Sequence, residues 1–385
     1  MFLQLKNKRF LFVVNTLNSF GGAERQSLIL ATYIRDNFSA HVSFIAFQDG
    51  VEFKTHLQAE GFNTYFFPFN HKVSKVKKVF QYWKLIQFMK TLKPDVLIPY
   101  VAESNKIVAQ IWKYTGAKFA FWNQREEGRQ LYGTSLEKKL INKVSAIVSN
   151  SFEGKDALMR TYDLNDNQIH VINNGIIPYE SKFEIRDWHE EFDIARERPL
   201  ISMIANITDR KDHATLIKAW KLVIDVCKKN NRILPFLMLA GRKDNVYDEL
   251  RLLAFDLKLS EHLAFVSNLN PVQPLIEQSQ FSVFSSNLEG CPNGVLECME
   301  RGKAVVGTNI SGIRQAIGDN YADACLSEPN NPKDMADKIM NLYVQPELIE
   351  TIGKYNLKRI LEEFSPEKMA KAHLDLITTK MIQKG

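Results

Sequence analysis

Short apolar runs alternate with amphipathic stretches along the first half of the chain. The run RFLFVVNTL (9–17) reads as a buried strand. The stretch AERQSLILATYIRDNF (23–38) reads as a helix, with apolar Leu28, Ile29, Tyr33 and Ile34 at helical spacing. HVSFIAF (41–47), DVLIPY (95–100), KFAFW (118–122) and SAIVSNS (145–151) are further strand-like runs followed by helical patterns. Strand–helix alternation of this kind predicts a parallel, doubly wound sheet.

The pattern then starts again. RPLISMIAN (198–206) reads as a strand and DHATLIKAWKLVIDVCKK (212–229) as a strongly amphipathic helix with Asp212 near its start. PFLMLAG (235–241), HLAFVS (262–267), FSVFSS (281–286) and KAVVGTN (303–309) are short strands separated by helices. Between the two series, PYESKFEIRDWHEEFDIARER (178–198) is charged, opens on Pro178 and lacks a clean period, as expected of a linker. The expectation is an α/β protein of two tandem Rossmann-like domains, 1–178 and 179–365, facing a cleft. The last helix, 366–385, is free to cross back to the first domain. Sheets of this type bind ligands at the carboxyl ends of their strands, so the loops that follow strands are where chemistry is sought.

Composition narrows the class. Of 385 residues, 45% are hydrophobic and 24% charged, as in an ordinary globular protein with a core. The early apolar run Phe10–Val14 is far short of the roughly 20 residues a spanning helix needs, which points to a cytoplasmic protein. Cys227, Cys291, Cys298 and Cys325 form no C-x-x-C pair and accompany no His cluster, so they read as reduced thiols. The formal charge of +6 is uneven: residues 1–180 carry 23 Lys and Arg against 15 Asp and Glu, net +8, and residues 181–385 carry 27 against 29, net −2. Much of the excess lies in HKVSKVKKVFQYWKLIQFMKTLK (71–93), with seven lysines and no acid. There Val76, Val79, Phe80, Trp83, Ile86 and Met89 fall near helical spacing. Two readings fit: a helix touching an anionic membrane surface, or a surface helix packed on the sheet by its apolar face. No nucleic-acid-binding module is visible.

Three post-strand loops carry candidate chemistry. In SSNLEGCPNGVLECME (285–300), Gly290 lets the backbone bend and a ligand approach. Pro292 suits the first turn of a helix. The N–H groups of Asn293, Gly294 and Val295 would then form an anion or hydroxyl site at a helix N-terminus. Glu289 precedes that helix and Glu297 lies within it; on spacing alone both are equally ordinary surface acids. In ANITDRKDHATLI (205–217), Arg210 and Lys211 beside a helix start suit a diphosphate, or form a solvated turn. In NSFGGAERQ (18–26), Gly21-Gly22 permits close backbone approach, or makes a plain turn. It matches neither G-x-G-x-x-G nor a P-loop.

Taken together, Glu289–Glu297 in EGCPNGVLE, the Gly21-Gly22-Ala23-Glu24 stretch, NNGI (173–176), KDHATLIKAW and GKAVVGTNISGIRQAI resemble the retaining GT-B glycosyltransferases of the glycogen-synthase-like family. That family builds bacterial surface polysaccharides from nucleotide sugars, and the similarity covers nearly the whole chain. The resemblance implies transfer with retention from a UDP- or GDP-sugar to a glycan or lipid-linked glycan, without a metal or other cofactor. It implies that Glu297 holds the donor ribose and that Arg210 and Lys211 hold the diphosphate. Glu289 and the backbone of Gly290, Pro292, Asn293 and Gly294 would hold the transferred sugar, with Gly21 and Gly22 near the phosphates. Base contacts are expected near FVSNLNP, at Asn268. Two departures stand out. Asn206 occupies a position where many relatives carry Arg, leaving Arg210 to substitute. The acceptor-side stretch WNQREEGRQ has no His, leaving Arg125 as the cation there, with Glu126 or Glu127 as acceptor contacts, or else a solvated loop. Alternatives on the same fold are a catalytically silent scaffold in a glycan-assembly complex, a nucleotide-sugar epimerase, or a sugar phosphorylase.

Overall fold

The computed structural model describes residues 5–70, 72–178, 186–267, 269 and 271–382. The chain forms two compact units: Met1–Ile177 with Phe364–Gly385 (unit 1), and Pro178–Glu363 (unit 2).

Unit 1 is built on seven parallel strands among the described residues: β1 (Arg9–Thr16), β2 (His41–Gln48), β3 (Asn63–Phe66), β4 (Val96–Pro99), β5 (Phe119–Gln124), β6 (Ala146–Ser149) and β7 (Ile169–Val171). Their order is β3-β2-β1-β4-β5-β6-β7. Because β1 is covered on both faces, it reads as a continuous apolar run rather than an alternation. Phe10, Phe12 and Val14 join Leu30, Ala31 and Ile34 of the helix Gly22–Phe38 and Met369, Ala370, Leu374 and Ile377 of the helix Pro366–Ile382. Leu11 and Val13 face the opposite layer with Leu85, Met89, Ile107 and Val108. Each such fully buried side chain contributes about 1.5–3 kcal/mol. On the helix Gly22–Phe38 the buried residues are Gln26, Ser27, Leu30, Ala31 and Ile34, whereas Leu28, Ile29 and Tyr33 are only partly covered. A polar pairing explains the shift: the Gln26 amide donates to the Gly175 carbonyl and accepts from the Gly175 N–H, each at 2.9 Å.

Unit 2 carries six parallel strands among the described residues: β8 (Leu200–Ile204), β9 (Phe236–Ala240), β10 (Leu263–Val266), β11 (Ser279–Phe284), β12 (Val305–Thr308) and β13 (Leu326–Ser327). Their order is β10-β9-β8-β11-β12-β13. The step from β8 to β11 makes these two strands neighbours, so the loops after them lie side by side. Each unit is thus a Rossmann-like α/β sheet, as the strand–helix alternation predicts. The short strands β3, β7 and β13 have no matching apolar run, because they are only two to four residues long and include polar Asn63, Thr64, His170 and Ser327. Part of the expected linker is ordered within unit 2. A short helix, Trp188–Glu191, is capped by the Asp187 carboxylate and buries Trp188 completely, with the Arg186 guanidinium 4.3 Å from its ring centroid.

Candidate active site

The loop after β8 is short and tied down. Asn206 Oδ1 accepts from the Arg242 N–H at 3.2 Å, and the Ile207 N–H donates to the Arg242 carbonyl at 2.9 Å. Asn206 therefore braces this loop against the one after β9. The Asp212 carboxylate caps the helix His213–Lys229 by accepting from the Thr215 N–H at 3.2 Å, and so fixes where Arg210 and Lys211 leave the sheet.

The loop after β11 is bound to it. The Asn287 N–H donates to the Arg210 carbonyl at 2.9 Å, and Ser285 Oγ donates to the Asp212 carbonyl. Lys211 Nζ forms an ion pair with Glu289 Oε1, and Ser286 Oγ donates to the same carboxylate oxygen at 2.9 Å. The Lys211 and Glu289 side chains keep 24% and 13% exposure, so the pair is largely shielded yet reachable. Two residues 78 positions apart thus share one hydrogen-bonded group. Ser286, itself buried, is held by its N–H on Thr308 Oγ1 at 3.1 Å.

Close backbone approach sets the rest. A Cβ on Gly312 would stand 2.2 Å from the Gly290 carbonyl oxygen and 2.4 Å from that of Glu289, so the turn rests directly on residue 312. A Cβ on Gly294 would stand 2.3 Å from the Ile204 carbonyl oxygen. The helix Asn293–Glu300 therefore starts hard against the end of β8. Pro292 is the residue before this helix rather than in its first turn; its backbone is extended (ψ 99°) and its carbonyl accepts from the Leu296 N–H at 3.2 Å. No side chain caps the helix start. Glu297 lies partly buried on the helix between buried Leu296 and Cys298. Asn268 lies outside the described residues. Beneath Lys211, His213 is buried, and burial followed by the Lys211 charge pulls its pKa down to about 4.

Unit 1 places its candidates at the ends of β1 and β5. Gly21 and Gly22 are exposed, and the Gly21 N–H donates to Glu24 Oε2 at 3.1 Å, so a Cβ at residue 21 would crowd that carboxylate. Arg125 is not a loop cation in solvent. It is 8% exposed, donates to the Tyr100 hydroxyl at 3.0 Å and to Asn174 Oδ1 at 3.5 Å, and lies 4.8 Å from the Tyr100 ring centroid. Glu126 and Glu127 follow, with Arg129 reaching both carboxylates. Burial raises the pKa of Glu126 and of Glu24, which lies in the first turn of the helix Gly22–Phe38. Among the described residues no group of three or more His, Cys, Asp or Glu could hold a metal ion, and no helix is long and apolar enough to cross a membrane.

Sequence reasoning missed Ser286, Thr308 and Gly312. All three lie in stretches already singled out, but their partners are defined by the adjacency of β8, β11 and β12, which no local pattern reports.

Two Rossmann-like units, one of them presenting a lysine–glutamate pair at its strand ends, define the GT-B class of fold. The model for Glycosyl transferases group 1 matches residues 184–359, and that for Glycosyltransferase Family 4 matches residues 20–178. The two matches fall on the two units, so unit 2 is similar to the glycosyl transferases group 1 family and unit 1 to glycosyltransferase family 4. It is 33% identical to an uncharacterized glycosyltransferase of Methanocaldococcus jannaschii over 101 residues, 26% of this chain and only 28% of that protein. It is 24% identical to the N,N'-diacetylbacillosaminyl-diphospho-undecaprenol alpha-1,3-N-acetylgalactosaminyltransferase of Campylobacter jejuni, over 71% of this chain and 74% of that one. Among solved structures, Anabaena HepE in complex with UDP and glucose superposes with a TM-score of 0.80 at 17% identity, covering 97% of this chain and 100% of that one.

Proposed function

We propose that the protein is a retaining glycosyltransferase that moves a sugar from a UDP- or GDP-sugar to a glycan acceptor, lipid-linked, in the assembly of a surface polysaccharide. The observation that carries this reading is the Lys211–Glu289–Ser286 group on the joined loops after β8 and β11. It sets a cation suited to a diphosphate directly beside an acid suited to sugar hydroxyls. Arg210 and Lys211 bind the diphosphate and take up the charge that develops as the bond from the anomeric carbon to phosphate breaks, the work a divalent ion does elsewhere. Glu289 and the 290–294 backbone orient the sugar, and Glu297 holds the ribose. The acceptor oxygen attacks from the same face, and its proton leaves with the diphosphate. Positioning and charge carry this step without a resident metal. Glu126 and Glu24, whose raised pKa values mark them as poorly solvated, are the acceptor-side hydrogen-bonding groups.

The Campylobacter relative, by its name, acts on an undecaprenyl diphosphate-linked sugar, which supports a lipid-linked acceptor. The protein then works peripherally on the inner face of the plasma membrane. A thermal-shift panel of UDP-, GDP- and ADP-sugars tests the donor: a ligand at 100 times its Kd stabilises by about 2.7 kcal/mol. Transfer assays follow with the donor that binds. Glu289→Ala should abolish transfer with the fold intact. No shift from any nucleotide sugar defeats the reading, and turnover that needs no acceptor replaces it with an epimerase.

A further inference from the structure

The basic stretch forms the helix Lys75–Leu92, capped by Ser74, and its apolar residues divide between two faces. Leu85 and Met89 are buried against β1, β2 and β4, and Tyr82 and Phe88 pack on Phe69 and Tyr65. Val76, Val79, Phe80 and Trp83 instead point outward, 81%, 69%, 54% and 54% exposed. At 3.6 residues per turn they share one arc of about 100° on the side away from the core. His71 lies outside the described residues.

The outward stripe has internal order. The Phe80 and Trp83 rings stack with centroids 5.7 Å apart and planes 13° apart, and Lys84 Nζ lies 4.5 Å from the Phe80 ring centroid. Helical geometry sets Lys77 and Lys84 along one border of the stripe and Lys75 along the other. Residues 72–93 contain seven lysines and no Asp or Glu. A core-packing helix needs one apolar face, and this one already has it in Leu85 and Met89. The second face remains unexplained by folding.

We propose that Val76, Val79, Phe80 and Trp83 insert into the headgroup region of an anionic lipid bilayer while the bordering lysines engage its phosphates. An interfacial helix has this construction, with apolar and aromatic residues in the boundary and cations level with the headgroups. An acidic protein surface would match the lysines but leave the stacked aromatic pair unused, and a nucleic acid would meet an apolar stripe at the centre of its footprint. The inference deepens the peripheral placement proposed above but stands on the helix alone, independent of the transfer chemistry.

Flotation of the full chain with phosphatidylcholine vesicles, with and without 30% phosphatidylglycerol, tests it. The wild type should float with the anionic vesicles, and at least tenfold less with neutral ones or in 0.5 M salt. The variant Val79→Ser/Phe80→Ser/Trp83→Ser should lose at least tenfold in partitioning, and Lys77→Gln/Lys84→Gln should lose severalfold on anionic vesicles only. All four positions of the stripe are outside the core, and near-UV circular dichroism and the nucleotide thermal shift confirm that the variants keep their fold and donor site. Wild type that binds neither vesicle, or a triple variant that floats as well as wild type, overturns the proposal. So does sedimentation showing a dimer that only the triple variant dissolves, since the stripe would then cover a second copy of the chain. Loss of vesicle binding with the thermal shift retained separates this proposal from the donor-site reading.

Discussion

In unit 2 the loops after β8 and β11 hold Lys211 in an ion pair with Glu289, beside Arg210 and the flanking acids Asp209 and Asp212. In unit 1 the loop after β5 sets Glu126 and Glu127 on Arg129 beside a sequestered Arg125, and Glu24 stands in the first turn of the helix Gly22–Phe38. The acids differ in their surroundings: Glu289 is held by a lysine and a serine hydroxyl, whereas burial raises the pKa of Glu126 and Glu24. Neither arrangement follows from the charge of the two halves of the sequence, where residues 1–180 are net +8 and the remainder net −2. The excess positive charge of the first half is displayed on the helix Lys75–Leu92, not at its strand ends. Bulk charge therefore says little about a site; the loops at the carboxyl ends of the strands say more. An arginine and an ion-paired lysine at the strand ends suit an anionic diphosphate, and poorly solvated carboxylates suit the hydroxyls of a neutral sugar.

The contrast breaks most sharply at Lys211 and Glu289. Glu289→Ala or Lys211→Ala should lower kcat by about 100-fold or more, the scale for removing one group that stabilises developing charge. Glu126→Ala should leave donor affinity unchanged. Steady-state kinetics with donor and acceptor varied separately decide this, and equal effects at both sites would erase the distinction between the units.

Each unit also buries a neutral histidine. Burial lowers the pKa of His213 to about 4 and of His373 to about 3, with Lys211 and Arg125 respectively adding to the shift. Their ordinary value is 6.5, so below that pH the unfolded chain takes up a proton that the folded chain refuses. The stabilisation is complete above pH 6.5 and is lost as pH falls towards each folded value. The loss for His213 reaches up to about 3 kcal/mol. Thermal midpoints of wild type and His213→Leu between pH 7 and 4 should show a steep decline in the first and a shallower one in the second, with His373, His262 and His170, whose pKa values burial also lowers, contributing to what remains.

A smaller effect is expected at Gly312. A methyl group there meets two carbonyl oxygens within 2.4 Å, so Gly312→Ala should cost about 1–3 kcal/mol and displace Glu289. Denaturant unfolding and the donor KM together report it, with KM rising. The mildest prediction concerns Glu126→Gln. The acceptor KM should rise severalfold with donor binding unaltered, since a neutral amide accepts hydrogen bonds less well than a carboxylate.

Much of the architecture is legible in local pattern. Runs such as LISMI and FLMLA are continuous because both faces of their sheet are covered, and the long helix His213–Lys229 carries its apolar period openly. What was not legible depends on strand order. Lys211 and Glu289 stood out separately, but their pairing follows from β8 lying next to β11. Ser286 and Gly312 matter only through that adjacency. Arg125 read either as an acceptor-side cation or as part of a solvated loop, because nothing local announces the Tyr100 hydroxyl and Asn174 that enclose it. The helix Lys75–Leu92 shows the same limit. Helical spacing placed Val76, Val79, Phe80, Trp83, Ile86 and Met89 in one set, yet the core takes Met89 with Ile86 packed against it and leaves the other four outside.

The account turns on where the diphosphate of the donor binds. A crystal structure of the chain with an intact UDP- or GDP-sugar measures it directly. The predicted result places the diphosphate oxygens within hydrogen-bonding distance of Arg210 and Lys211, with the sugar against Glu289 and the ribose at Glu297. A diphosphate found on the loops of unit 1, or on unit 2 away from residues 210 and 211, would contradict it.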